Sequence, residues 1–115
     1  MGEPLGFNEY SAGKAIVIEL KGRFDASVAL PVKNRMRSLL DDTPFIIADL
    51  GQISFIDSSG LGALLASLRH ASRRGGDLRL ANMTEKIQQV FALIRLDHVF
   101  KIYPDVKSAV QSLKE

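Results

Sequence analysis

With 115 residues and 12.6 kDa, the chain has material for one hydrophobic core and little for a second, so a single domain over residues 1–115 is expected. Its 46% hydrophobic and 24% charged residues are the balance of a folded globular protein and not of a disordered one. The absence of cysteine excludes disulfides, thiolate metal sites and a cysteine nucleophile and favours a cytoplasmic location, while a net charge of +2 is too small to indicate nucleic-acid binding by itself.

The opening Met1-Gly2-Glu3-Pro4-Leu5-Gly6 has neither a basic stretch leading into an apolar one nor a Ser or Thr at position 6, so no secretory signal and no myristoylation are expected. Leu5, Phe7 and Glu9 then lead through a turn-rich Tyr10-Ser11-Ala12-Gly13-Lys14 linker, which allows a short first strand to pair antiparallel with the next. From Ala15 to Lys21, Ile16, Ile18 and Leu20 alternate with Val17, Glu19 and Lys21, the pattern of a half-buried strand that ends at Gly22. Ala29, Val32, Met36, Leu39 and Leu40 follow at helical spacing, with Pro31 placed in the first turn and Asp41-Asp42-Thr43-Pro44 as the stop. Phe45 to Leu50 reads as a strand covered on both faces, and a second short apolar run, Ile53-Ser54-Phe55-Ile56, leads to Asp57.

Leu61, Leu64, Leu65 and Leu68 mark the stripe of a second helix, closed by Arg73-Arg74-Gly75-Gly76. Within it, Ser58 to Leu68 is the longest uncharged apolar stretch, far short of the ~20 residues needed to cross a bilayer. Leu78 and Leu80 belong to a fourth strand, and Thr84 caps a third helix with Ile87, Val90, Phe91 and Ile94 inward. Lys101-Ile102-Tyr103 offers an edge strand, and Asp105 caps a last helix with Val106, Ala109, Val110 and Leu113 on one face. The alternation predicts an α/β fold, with a mixed, mostly parallel sheet of four or five strands packed by about four helices.

Chemistry concentrates in Phe55-Ile56-Asp57-Ser58-Ser59-Gly60-Leu61-Gly62, a strand end, a tight polar turn and a helix start. Unpaired N–H groups and the positive end of the helix dipole favour negative charge there, and an exposed hydroxyl is well placed to receive a phosphate. The same run is also explained by capping alone, with Asp57 or a serine as the cap and Gly60 and Gly62 allowing close packing. Ile56 lies two residues before Ser58, and Asp57 two before Ser59, so neither serine fits a G-x-S-x-G nucleophile elbow. Gly60-x-Gly62 has Leu65 where a dinucleotide fingerprint needs a small residue, no Walker loop occurs, and His70 and His98 lack the pairing of a zinc site. The basic cluster Arg69, His70, Arg73 and Arg74 reads as a solvated helix end that complements the dipole, without interleaved aromatics for nucleic acid. Asp25 reads as the cap of the first helix and as a neighbour of Asp57 at the sheet edge.

Together, Gly22-x-x-Asp25 after one strand and the Asp57-Ser58-Ser59-Gly60-Leu61-Gly62 run after another resemble the STAS domain of bacterial anti-sigma-factor antagonists. The resemblance extends from about Ile16 to Leu113 and includes the Gly75-Gly76 turn before the Leu78 and Leu80 strand. It implies that Ser58 is phosphorylated by the anti-sigma factor, a serine protein kinase, and dephosphorylated by a serine phosphatase. Asp25, Asp57, Ser58, Ser59 and Gly60 are then the switch and partner-binding residues, with no catalytic step, metal, cofactor, nucleic acid or membrane involved. The unphosphorylated chain would sequester the anti-sigma factor and the phosphorylated chain release it. Arg23 stands where the family carries an acidic residue, reversing a charge near the partner surface. Two alternatives remain: a structural STAS subunit of a signalling assembly or transport system without serine switching, and, with less support, a small Ser-His hydrolase.

Overall fold

Alternating hydrophobicity in the first two strands resolves into a hairpin in the computed structural model, which describes residues 6–114. Leu5, the earlier residues read for targeting features, and Glu115 lie outside the described residues. Strand β1 (Gly6–Ala12) turns at Gly13-Lys14 into β2 (Ala15–Phe24), paired antiparallel from Gly6↔Lys21 to Ala12↔Ala15. The expected five-residue linker shrinks to two, because Tyr10, Ser11 and Ala12 pair with Val17, Ile16 and Ala15, and Gly13 takes the positive φ of +59° that the tight turn requires.

The remaining elements alternate: α1 (Ala26–Asp42), β3 (Phe45–Ile56), α2 (Ser58–Arg73), β4 (Asp77–Ala81), α3 (Glu85–Leu93), a 3₁₀ turn at Leu96–His98, β5 (Lys101–Tyr103) and α4 (Val106–Gln111). The sheet order is β1-β2-β3-β4-β5, with every pair after the first hairpin parallel. The larger core joins Ile18, Leu20, Ile46, Ala48, Leu78 and Leu80 of the sheet to the apolar stripes of α1, α2 and α3. On the other face, Ala15, Val17, Ile47 and Ala81 pack with Ala109 and Leu113 of the α4 region.

This second layer corrects the half-buried reading of β2. Val17 is as fully enclosed as Ile18, because α4 covers a face that local alternation had assigned to solvent. Nor does β2 stop at Gly22. That glycine adopts φ +91° beside a register shift in the β2–β3 ladder, and the strand resumes to Phe24, so the residue marks an irregularity and not an end. The two apolar runs after Pro44 form one strand, β3. Pro31 lies beyond the first turn of α1, where it withholds the N–H that would otherwise reach the carbonyl of Ser27. Val28, Val32, Met36 and Leu40 nonetheless keep one buried stripe. In α3, Ile87 and Phe91 are buried and Val90 is half-buried, but Ile94 falls at the C-cap and is exposed.

The ends of α1 and α2 are fixed by separate devices. Arg74 donates from Nε to the carbonyl of Leu40 at 2.9 Å, satisfying a carbonyl near the end of α1. It is therefore tied to the neighbouring helix and is not a purely solvated cation. At the same corner a side chain on Gly76 would collide with the carbonyl of Pro44, to which the Asp77 N–H donates at 2.9 Å. These contacts lock the far end of the α1–α2 pair and leave the opposite end, where both helices begin, to present the polar residues.

Candidate functional site

The site forms where β2 and β3 release their chains on the same side of the sheet. Phe24 and Ile56 are in register across the parallel ladder, and each is followed at once by an aspartate that caps a helix. Asp25 and Asp57 have nearly the same backbone conformation, φ −122° and ψ −169° against φ −120° and ψ −170°. The expected proximity of the two aspartates at one sheet edge is thus a consequence of strand register. The Asp57 N–H also approaches the carbonyl of Phe24 at 3.4 Å, a long contact that links the two chain exits.

Asp57 Oδ1 accepts from the N–H groups of Ser59 at 2.9 Å and Gly60 at 3.2 Å, so the carboxylate satisfies two of the unpaired donors at the start of α2. No separate turn intervenes. Ser58 and Ser59 are already the first two helical residues. Neither serine hydroxyl makes a hydrogen bond among the described residues, so of the capping candidates Asp57 or a serine it is Asp57 that serves the backbone N–H groups. What separates the serines is exposure: Ser58 faces solvent, whereas Ser59 is half-buried against a cavity shared with α1.

Gly60 is buried, and a Cβ there would lie 2.4 Å from the Phe24 carbonyl oxygen and 3.0 Å from its ring. The glycine therefore allows the first turn of α2 to rest directly on the end of β2. Gly62 has open space around its missing side chain, so close packing explains only the first of the two glycines.

Asp25 is held more tightly by side chains. Its Oδ1 accepts from the Ser27 hydroxyl at 2.6 Å and the Ser27 N–H at 3.1 Å, and Arg23 Nε lies 3.5 Å from Oδ2. The Ser27 hydroxyl bond and then its backbone bond hold the carboxyl below the usual aspartate range, against an opposing loss of solvation and with a lesser contribution from Arg23. Because the folded pKa is depressed, the cap contributes stability above the unfolded value of about 3.9, and that contribution is lost as pH falls through the folded value. Thermal melts of the native chain and Asp25→Ala should therefore differ at pH 7 and converge below about pH 4. A gap that widens on acidification would contradict this role for Asp25.

The guanidinium of Arg23 also sits 4.1 Å from the centroid of the Phe55 ring, its register partner on β3. The pair places a cation over an aromatic face next to the two caps, an arrangement that sequence patterning did not reveal because it depends on register. His70 lies near the far end of α2 and His98 in the 3₁₀ turn, and neither is bonded to Ser58 or Ser59 among the described residues. No group of three or more His, Asp or Glu suited to a metal occurs among the described residues. No helix of the described chain is long and apolar enough to cross a membrane.

Sequence comparison matches residues 8–109 to the STAS domain family. The anti-sigma-B factor antagonist of Bacillus subtilis is 24% identical over 96 residues, covering 84% of this chain and 88% of that protein. Among solved structures, a Thermotoga maritima protein described as a candidate anti-sigma factor antagonist superposes with a TM-score of 0.88 at 23% identity, covering 95% of both chains. The antagonist SpoIIAA in its unphosphorylated form gives 0.82 at 21% identity, covering 95% of this chain and 96% of that one. The phosphorylated Bacillus form gives 0.74 at 21%, covering 95% and 100%. At these identities the superpositions establish the fold: a mixed α/β domain with a five-stranded sheet and four helices.

Proposed function

The chain belongs to the STAS-domain family, and from that premise we propose that it is a cytoplasmic anti-sigma-factor antagonist switched by phosphorylation of Ser58. Unmodified, it binds a cognate anti-sigma factor that is also a serine kinase and so frees the factor's client; phosphorylated at Ser58, it releases the kinase until a serine phosphatase restores it. Asp25, Asp57, Ser59 and Gly60 shape the docking edge, and residues 1–115 act as one domain without a catalytic step of their own.

The observation that carries this reading is the exposed, unbonded Ser58 hydroxyl at the first position of α2, directly after the Asp57 cap. A kinase must reach the acceptor oxygen from solvent without first breaking a structural bond. Ser58 meets both conditions, whereas Ser59 turns toward α1 and lines a cavity. A phosphate added to Ser58 would also lie near the positive end of the α2 dipole, so the fold tolerates it. The named relatives support the choice of partner, since the B. subtilis protein is described as an antagonist of an anti-sigma factor.

Incubation with the cognate kinase and ATP should therefore place a single phosphate on Ser58. Tandem mass spectra locating it on Ser59, or undiminished labelling of Ser58→Ala, would overturn the assignment.

A further inference from the structure

A trough runs between α1 and α2, beginning beside the proposed phosphoacceptor and extending toward the far end of α2. At the Ser59 end it is a cavity of about 250 Å³ lined mainly by Ala29, Leu30, Gly62 and Ala63, with Lys33 at its margin. Lys33 also lines the adjoining cleft, of about 140 Å³, together with Arg37, Arg69, His70 and Arg73. One end of the trough is thus apolar, with Leu30 58% exposed, and the other is cationic.

The cationic end is more than a favourable helix terminus. Arg73 in the last turn of α2 complements its dipole, but Lys33 and Arg37 lie in the interior of α1, where the dipole gives them no such advantage. Lys33 with Arg37, and Arg69 with Arg73, are each spaced four apart, so each helix presents two cations to the same cleft. Among the described residues, none of these four has a carboxylate within ion-pair distance. His70 Nε2 is buried without a hydrogen-bond partner, and its nearest ion-pairing group is Asp41 Oδ1 at 4.0 Å. The four exposed or partly exposed cations lie close together without a carboxylate partner, a like-charge repulsion that an anionic partner relieves.

We propose that this trough docks an acidic segment of a partner protein, with apolar side chains against Leu30 and carboxylates against Arg37, Arg69 and Arg73. Charge complementarity identifies the acidic part, and the apolar half identifies a polypeptide. A single-stranded nucleic acid would need aromatic platforms, and no Phe, Tyr or Trp lines either half. The proposal rests on the apolar and cationic lining of the trough and not on modification of Ser58.

The probe is a fluorescein-labelled peptide with a leucine- and alanine-rich half followed by a run of glutamates, titrated with the full chain at low salt and followed by anisotropy. The native chain should bind it, and Arg69→Glu combined with Arg73→Glu should weaken binding at least ~10-fold. Lys101→Glu combined with Lys107→Glu makes the same change in net charge on β5 and α4 and should leave the affinity unchanged, with circular dichroism confirming that both variants are folded. Replacing the apolar half of the peptide by glycines and serines should weaken it as well. Absence of binding to the native chain, equal loss in the two double variants, indifference to the apolar half, or tighter binding of a labelled oligothymidine would each overturn the proposal.

Discussion

Truncating Leu64 to Ala should destabilise the chain by about 2–5 kcal/mol in denaturant melts, as for buried leucines that leave a cavity. Leu64 is fully enclosed on the face of α2 that meets the sheet, within the cluster that includes Leu20, Leu50 and Phe24. Hydrophobic transfer and lost packing contacts add at such a position, because the surrounding strands are held by their ladders and cannot collapse freely into the void. Leu68, one turn further on, is only half-buried, so Leu68→Ala should cost clearly less. The comparison matters for function because the same helix presents Ser58. A loss below ~0.5 kcal/mol for Leu64→Ala would show that this stripe is not core.

Ser58→Asp should weaken binding to the anti-sigma partner at least ~10-fold, equivalent to about 1.4 kcal/mol, while Ser58→Ala should bind about as well as the unmodified chain. Two effects of opposite sign decide this. Within the free domain, negative charge at the exposed start of α2 interacts favourably with the dipole by only ~0.3–1 kcal/mol. At the interface, the same charge must lose water beside the Asp57 carboxylate, and the cost reaches several kcal/mol where the partner supplies no cation. The interfacial effect is the larger. Phosphoserine carries a charge of about −1.5 to −2, so true modification should weaken binding beyond the single charge of aspartate. Both variants should give native circular dichroism spectra, separating loss of binding from loss of fold.

Local chemistry made parts of this molecule legible from its sequence. Asp25, Asp57, Thr84 and Asp105 all prove to be N-caps, because capping depends on one side chain and the two or three N–H groups that follow it. The leucines of α2 were readable for the same reason, their spacing being a property of one helix. Features set by contacts between distant segments were not. Gly22 has the composition of a strand end, and only its pairing opposite β3 turns it into an irregularity that the strand passes through. Val17 looks solvent-facing until α4, almost ninety residues later, covers it.

The site divides along the same line. In the sequence Ser58 is set apart from Ser59 only by the family resemblance, and the contacts that distinguish the two serines depend on the fold. Asp57 takes the capping bonds, and Ser59 is set apart by its burial toward α1. The paired spacing of Lys33 with Arg37 and of Arg69 with Arg73 was present in the sequence, yet their common cleft depends on how α1 lies against α2. Arg23 over Phe55 depends likewise on the β2–β3 register.

The most direct test of the switch is calorimetric titration of the cognate anti-sigma kinase with the unmodified chain and with chain stoichiometrically phosphorylated at Ser58, both verified as folded. The unmodified chain should bind and the phosphorylated chain should bind at least ~10-fold more weakly. Equal affinities for the two forms would contradict a Ser58 switch and leave a STAS subunit whose docking is indifferent to phosphate.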